Sequence, residues 1–337
     1  MSDNEPAPPE GILLEERVVP FPRSISAAAR AALARMVAAD GTVAPQPPLP
    51  PADDLVAWTE LRAQVEQIMM AYKSSDLQTT TSVETVDYHG IAVHVARPVG
   101  MTPTSRVYLE IHGGGLVYGG GAPARRDAEL IAHRHGVTAC SPDYRMPPEH
   151  PYPAALDDCL ALYRGVLERH VPEDVIVGGT SAGGNLAAAL MLRARDEGLA
   201  APAALVLLTP ELDLTESGDS FEVNRLVDVN LAGGLAESIA LYAGDHDLSH
   251  PYLSPLFGDF TRGFPASFLQ AGTRDLFLSN TVRMHRALRR ANIPVELHVF
   301  EGMPHGGFQG APEDAELAAE VDRFVAEHWG RVTSWSR

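Results

Sequence analysis

A serine flanked by glycines is the residue of this chain whose surroundings most clearly suggest chemistry. Residues 175–177 form a short apolar run, residues 179–183 read Gly-Thr-Ser-Ala-Gly, and an Ala- and Leu-rich stretch comes next. A serine in this pattern, between a strand and a helix, is typical of a sharp turn that exposes its hydroxyl as a nucleophile. The glycines allow strand and helix to approach closely, while the serine adopts a strained backbone. The pattern therefore predicts Ser181 as a nucleophile.

Two later residues stand where partners of that serine are expected. A serine hydroxyl is a weak nucleophile, so it needs a nearby base that is oriented by a third group. For this kind of turn the expected order along the chain is serine, then Asp or Glu, then His. Asp275 follows the apolar run 268–271, and His305 follows the run 295–300. Because both predicted loops leave the carboxyl ends of strands, the sequence predicts Ser181, Asp275 and His305 as a catalytic triad.

A histidine and three glycines at residues 112–115 follow another apolar run at residues 107–111. Without side chains in the way, the backbone N–H groups of such a loop can approach an oxyanion directly. Together with the N–H of Ala182 they are predicted to form an oxyanion hole, in which one donor typically contributes about 3 kcal/mol. A flexible glycine turn is the alternative, which the neighbouring Ser181 pattern disfavours.

His246 and His250 are four residues apart, a spacing that could suit a metal ion. No clear helix frames them, and the acidic residues beside them fit a solvated loop equally well. We therefore predict neither a metal site nor a cofactor.

The first segment of the chain, residues 1–80, differs in pattern from the remaining residues. Helical periodicity at residues 24–40 and again at residues 53–72 flanks a proline-rich break at residues 45–51. Two helices joined in this way predict a helical cap over a catalytic domain. An arm that only packs on the main domain is the alternative.

Residues 81–337 are predicted to form that catalytic domain. A His89-Gly90 turn separates two strand-like runs, and the later apolar runs mostly lead into helical patterns. An antiparallel start followed by repeated strand and helix units predicts an α/β fold, with a largely parallel sheet covered by helices on both faces. This alternation of strand and helix patterns is interrupted at about residues 211–250, which we predict to be an insertion that completes the cap.

Four motifs together resemble those of the bacterial hormone-sensitive-lipase-like esterases, over about residues 83–324. They are His-Gly-Gly-Gly at 112–115, Asp-Tyr-Arg at 143–145 followed by Pro-Pro-Glu at 147–149, the Gly-Thr-Ser-Ala-Gly elbow that marks one subgroup, and Gly-Met-Pro-His at 302–305. The resemblance implies an α/β-hydrolase fold, with an eight-stranded sheet and a helical cap. It also implies that the oxyanion donors are Gly114, Gly115 and Ala182, and that the Asp-Tyr-Arg segment has a structural role.

The chain departs from this family at two places. Many members have an aromatic residue after the glycine run, where this chain has Leu116, and many continue the acidic motif as Asp-Pro-Leu, where this chain has Asp275-Leu276-Phe277. The first difference affects the expected shape of the pocket, and neither touches the triad.

The predicted function is hydrolysis of short to medium carboxylic esters through an acyl-enzyme intermediate, which makes the chain a carboxylesterase. Lactone hydrolysis on the same machinery is one alternative, and a catalytically silent small-molecule-binding protein is another. Because the histidine must be neutral to act as a base, activity is expected to fall below about pH 6 to 7. Four aromatic residues are candidates for the pocket wall, although each could equally belong to the core: Tyr72, Tyr118, Tyr152 and Phe277.

The amino-acid composition further limits the classes of binding partner that are expected. The 44 acidic and 26 basic residues give a net charge of -18, which repels phosphate backbones and anionic membrane surfaces and leaves a small-molecule ester as the expected partner. Two cysteines, Cys140 and Cys159, are too few for a disulfide framework. Residues 1–10 lack the pattern of a signal peptide, and no long apolar run is present, so a cytoplasmic location is predicted. Homodimer formation stays open.

Overall fold

The fold is described from a computed structural model, which covers residues 12, 16–44, 47–73, 80–102, 104–331 and 335. The acidic segment 1–10 and residues 45–46 of the proline-rich break lie outside the described residues. Within the described part of the chain, eight strands form one sheet: β1 (Thr81–Tyr88), β2 (Ile91–Pro98), β3 (Val107–Ile111), β4 (Thr138–Asp143), β5 (Val175–Thr180), β6 (Ala204–Leu208), β7 (Ser267–Gly272) and β8 (Val295–Phe300).

The sheet has the spatial order β1-β2-β4-β3-β5-β6-β7-β8. Strand β2 pairs antiparallel with both β1 and β4, and every other neighbouring pair is parallel. The β1–β2 turn consists of His89 at φ 53° and Gly90 at φ 86°, which is the left-handed pair that a two-residue hairpin requires. The predicted hairpin and the predicted parallel sheet are therefore both confirmed.

Helices cover both faces of the sheet. The described helices are α1 (Ala27–Arg35), α2 (Leu55–Lys73), α3 (Ala122–His135), α4 (Ala154–Leu167), α5 (Ala182–Asp196), α6 (Ser220–Val223), α7 (Ala236–Ala243), α8 (Leu278–Arg290) and α9 (Pro312–His328).

Neighbouring residues of a strand point to opposite faces, so the sheet carries two separate cores. On β3, Leu109 joins the cluster that includes Leu186 of α5, whereas Tyr108 joins the cluster that includes Phe324 of α9. Tyr108 also stacks on His135 at the end of α3, with ring centroids 5.5 Å apart. The predicted α/β fold, covered on both faces, is confirmed.

The second N-terminal helix lies within about two residues of its predicted limits, whereas the first is shorter than the sequence pattern suggests. Helix α1 begins after Ser26, whose hydroxyl accepts a hydrogen bond from the N–H of Ala29 at 3.0 Å, and it ends at Arg35. Gly41, at φ 87°, then turns the chain back on itself. The prediction of a helix over residues 24–40 was therefore too long, because a side-chain cap starts the helix late and a left-handed turn prevents its continuation.

None of the helices in the described ranges is both long enough and apolar enough to cross a membrane. The two cysteines are free, Cys159 buried and Cys140 half-buried.

Candidate active site

Ser181 occupies the tight turn between β5 and α5. Its backbone has φ 60° and ψ -124°, a conformation that residues other than glycine rarely adopt. The Ser181 N–H donates to the carbonyl of Leu208 on β6 at 2.9 Å, which ties the turn to the next strand. The side chain is largely buried, and it lies at the N-terminus of α5, where developing negative charge is favoured.

Two glycines make this turn sterically feasible. A Cβ atom on Gly179 would lie 2.3 Å from the carbonyl oxygen of Gly183, and one on Gly183 would lie 2.0 Å from the carbonyl oxygen of Ile111. Both distances are far below van der Waals contact. The Gly-x-Ser-x-Gly spacing is thus a requirement of close packing between β5, α5 and the end of β3.

Asp275 and His305 lie on the loops that follow β7 and β8, as their sequence positions predict. The Asp275 Oδ1 atom is 3.1 Å from His305 Nδ1, and it also accepts a hydrogen bond from the N–H of Phe277 at 2.9 Å. Asp275 is completely buried, and the ring of Phe277 packs edge-on against the imidazole with centroids 5.0 Å apart. This environment fixes both the carboxylate and the ring that it orients.

Ser181 and His305 line one cavity of about 900 Å³. No hydrogen bond joins the two side chains in this structure, although both are described. Such bonds between a nucleophile and its base are often long in the resting enzyme and tighten when substrate binds. The shared cavity is therefore the observation that connects the nucleophile with the His305–Asp275 pair.

The electrostatic surroundings of His305 favour its charged form. Burial by itself lowers the pKa of the imidazole, but the carboxyl groups of Asp275, Asp228 and Glu211 outweigh burial, so the pKa of His305 is raised above its ordinary value. A raised pKa means that the imidazole stays protonated, and is therefore unavailable as a base, up to a higher pH.

Asp228, which sequence reasoning missed, holds the acid loop and the base loop together. It is fully buried in the segment between α6 and α7. Its Oδ2 accepts from the N–H of Leu276 at 2.8 Å, and its Oδ1 accepts from the N–H of His305 at 3.4 Å and from that of Asn230 at 3.0 Å. A residue of the segment between α6 and α7 thus contacts the loop that carries Asp275 and the loop that carries His305. No local motif marks it, because these partners are brought together only by the fold.

Glu211 is a second buried acid that sequence reasoning missed. Neither of its carboxyl oxygens has a hydrogen-bond partner, and burial raises its pKa to about 8. Its backbone is tied to the elbow, since the Glu211 N–H donates to the carbonyl of Ser181 at 3.2 Å and its carbonyl accepts from the side chain of Asn185 at 2.7 Å. Its place just beyond the carboxyl end of β6 is the one sequence signal that could have drawn attention to it.

The glycine loop forms part of the same cavity wall. Gly113, Gly114 and Gly115 all line the cavity, and Gly114 and Gly115 have φ values of 129° and 56°. A Cβ atom on Gly113 would lie 2.6 Å from the carbonyl oxygen of Thr180. Within the described residues, the N–H groups of Gly114, Gly115 and Ala182 donate to no other group, which leaves them available for an oxyanion.

The histidine at the start of that loop is held in the interior by contacts with Tyr144. His112 is buried, stacks on Tyr144 with ring centroids 4.0 Å apart, and accepts the Tyr144 hydroxyl hydrogen at its backbone carbonyl at 2.8 Å. Burial lowers the pKa of His112 to about 3, so the ring is neutral. Arg145 binds Asp158 through several short contacts, the shortest 2.7 Å. These contacts are consistent with a supporting role for the Asp-Tyr-Arg segment.

Of the four aromatic candidates for the pocket, Tyr118 lines the cavity. Tyr72 is half exposed, Tyr152 packs against Tyr242 and His246, and Phe277 lies buried behind His305. The other three candidates therefore do not line this cavity. Tyr72 is exposed to solvent, whereas Tyr152 and Phe277 pack against other side chains, as the core alternative predicts for these two residues.

His246 and His250 bind within their own loop, through contacts of 2.8 Å to the carbonyl of Ala243 and 3.1 Å to the N–H of Tyr252. Across the described ranges, no group of three or more His, Cys, Asp or Glu side chains is arranged to hold a metal ion.

Comparison with known proteins agrees with this geometry. The sequence profile of the α/β hydrolase fold family matches residues 108–309, and the chain belongs to that family. An esterase from Acinetobacter venetianus is 32% identical over 228 residues, which cover 66% of this chain and 75% of the relative. The carboxylesterase NlhH from Mycobacterium tuberculosis is 34% identical over 241 residues, which cover 66% of this chain and 73% of the relative.

Solved structures give the same assignment over a greater length. The crystal structure of an esterase, E25, matches with a TM-score of 0.84 at 34% identity, covering 95% of this chain and 99% of that one. An esterase from the bacterial hormone-sensitive lipase family matches with a TM-score of 0.76 at 26% identity, covering 90% of this chain and 99% of that one. The predicted class is thereby confirmed, since the chain is a carboxylesterase of the hormone-sensitive-lipase-like group.

Proposed function

We propose that Ser181, His305 and Asp275 form the catalytic triad of this esterase and that its substrates are short to medium acyl esters. The observation that carries the proposal is the 3.1 Å contact between His305 Nδ1 and Asp275 Oδ1 beside a cavity that Ser181 also lines. Buried Asp275 fixes the tautomer that leaves His305 Nε2 free to act as the base.

In the proposed mechanism, Ser181 Oγ attacks the ester carbonyl while His305 takes its proton. The N–H groups of Gly114, Gly115 and Ala182 stabilise the oxyanion of the tetrahedral intermediate. His305 then returns the proton to the leaving alcohol, and an acyl-enzyme remains. Water repeats the same steps with His305 as the base, which releases the acid and restores Ser181.

The cap assignment supports this substrate range. We propose that residues 1–80 and about 211–250 cap the catalytic domain of residues 81–337. Residues of α2, namely Leu61, Val65, Ile68 and Met69, line the cavity together with residues 231–238 of the insertion. A largely apolar wall of this kind suits a small acyl or alkyl group. The cytoplasmic location and homodimer formation stay predictions.

The first test compares p-nitrophenyl acetate, butyrate and decanoate with a panel of lactones at about pH 8. We expect acetate and butyrate to be hydrolysed faster than decanoate, because the two cap segments close over the cavity, and faster than any lactone. A phosphonate inhibitor should label the peptide that contains Ser181, as read by mass spectrometry. Faster turnover of a lactone would assign lactone hydrolysis instead, and a label on another serine would contradict the role of Ser181.

A second prediction concerns pH. Because neighbouring carboxyl groups raise the pKa of His305, the acid limb of log(kcat/KM) should have its midpoint above the ordinary imidazole value of about 6.5. Asp228→Asn removes one of these carboxyl groups, so its limb should move to lower pH, and kcat should fall moderately because an amide cannot accept from both triad loops. Asp245→Asn, in an exposed loop, is the control and should keep the wild-type limb. Identical limbs in all three proteins would contradict the prediction.

A further inference from the structure

Glu110 is a buried acid at the cavity that the proposed mechanism does not use. It lies on β3, is 8% exposed, and lines the 900 Å³ cavity that also contains Ser181. A smaller cavity of about 210 Å³ adjoins it, and Glu110, Asp127 and Thr180 line both. Glu110, Asp127 and Thr180 therefore lie between the cavity that contains Ser181 and the smaller cavity, which we call the side branch.

The side branch runs along the face of the sheet that α3 and α9 cover. On β3, Tyr108 and Glu110 are two residues apart and therefore lie on that same face of the sheet. Asp127 and Arg134 of α3 line the branch from the opposite side. From the cap, Lys73 at the end of α2 pairs with Asp127, with Nζ and Oδ2 2.5 Å apart. Lys73 is the only lysine in the chain. Lys73 therefore links α2 to α3, and the pair lies at the boundary between the two cavities.

Within the described part of the chain, no protein group donates a hydrogen bond to the Glu110 carboxyl group, and Lys73 pairs with Asp127 instead. Burial raises the pKa of Glu110 to about 8, with Asp127 adding to the rise and Lys73 opposing it. Near neutral pH the carboxyl group is thus mostly protonated and can both donate and accept a hydrogen bond. Because Glu110 lines the cavity, a ligand that enters the cavity can pair with this carboxyl group.

We propose that Glu110, beside the Lys73–Asp127 pair, forms a polar subsite for a substrate chain that carries a ketone, hydroxyl or ether oxygen. The inference rests on the proposed function, because Ser181 lines the same cavity. An oxygen atom in the branch pairs with the carboxyl group, whereas an alkyl chain of the same length leaves it unpaired. Glu110 also lines the catalytic cavity itself, so the chain of a substrate bound beside Ser181 lies in the same cavity as this carboxyl group.

Matched ester pairs test this subsite. On the acyl side, p-nitrophenyl 4-oxopentanoate is compared with p-nitrophenyl pentanoate, and on the alcohol side 2-methoxyethyl acetate is compared with butyl acetate. The wild type should favour the oxygenated ester in at least one pair, and that pair assigns the branch to the acyl or the alcohol side. In Glu110→Leu the ratio of kcat/KM values in that pair should fall about tenfold, which corresponds to the loss of one hydrogen bond. Glu110→Gln, which keeps a donor and an acceptor, should retain the preference.

The controls separate this inference from the proposed function. Glu110→Leu removes an unpaired buried carboxyl group, so it should melt no lower than the wild type. If p-nitrophenyl acetate is hydrolysed through Ser181 but the wild type shows no preference for oxygen in either pair, the subsite is wrong and the triad stands. Equal ratios in the wild type and Glu110→Leu would also overturn it. If the wild type hydrolyses none of the esters, it is the proposed function that fails.

Discussion

Replacing Ser181 with alanine is expected to lower kcat for p-nitrophenyl acetate by about a millionfold, which is the loss seen when a triad nucleophile is removed. The physical reason lies in the turn: its φ of 60° presents a single hydroxyl to the cavity that His305 also lines. Activity about 10³–10⁴-fold above the uncatalysed rate should survive, because the oxyanion donors and the binding cavity remain. The measurement is steady-state p-nitrophenol release at about pH 8.

The matched control for that prediction is Ser249→Ala. Ser249 is an exposed serine whose hydroxyl binds Asp247 in a surface turn, and its loss should leave kcat unchanged. A Ser181→Ala protein that retains more than about one hundredth of wild-type kcat would contradict the assignment, because residual binding alone does not give such a rate. Circular dichroism on both variants checks that the fold is intact.

The positions of Ser181, Asp275 and His305 could be predicted because each follows a strand at the same edge of the sheet. The end of a parallel strand and a glycine-flanked serine are local signals. The expected order of serine, acid and histidine along the chain then identifies the two partners of the serine. The strands themselves were predicted to within about three residues, since buried parallel strands are short apolar runs with clear limits. The glycine loop at residues 112–115 could be recognised because several adjacent glycines rarely suit a helix or strand.

The buried acids around the site could not be predicted in this way. Asp228 binds the N–H groups of Leu276 and His305, which lie 48 and 77 residues further along the chain. Glu110 occupies the middle of a strand whose other residues are mostly apolar, and Glu211 follows a proline in what reads as a polar loop. Burial of such groups depends on which elements pack over them, and this information is not local in the sequence.

Taken together, these acids explain how the site can be both buried and reactive. Glu110 and Glu211 have pKa values raised to about 8, so each carboxyl group is mostly protonated near neutral pH and gains negative charge as the pH approaches 8. Asp275 and Asp228 instead accept hydrogen bonds from the two triad loops. Groups with displaced pKa values concentrate at functional sites, and here two of them, Glu110 and His305, line the same cavity. The neutral acids can donate, while the hydrogen-bonded ones orient His305.

Asp275→Asn is expected to lower kcat about ten-thousandfold, with little change in KM. The substitution keeps the volume of the side chain, and the amide oxygen can still accept from the N–H of Phe277. It cannot also serve His305 Nδ1 as a charged acceptor, so the ring is free to adopt the tautomer whose Nε2 carries the proton and cannot take one from Ser181. KM should change little because Asp275 lies behind His305 and does not line the cavity.

The matched control for Asp275→Asn is Asp213→Asn. Asp213 is equally buried and loses the same charge, but its partners are Thr215, Ser217 and Arg283 rather than a histidine. This variant should melt at a lower temperature while keeping kcat within about tenfold of the wild type, because only its stability depends on that carboxylate. A similar fall in kcat for both variants would mean that the loss comes from a disturbed fold. A large fall for Asp275→Asn alone, at unchanged KM, would show that the carboxylate acts by orienting the base.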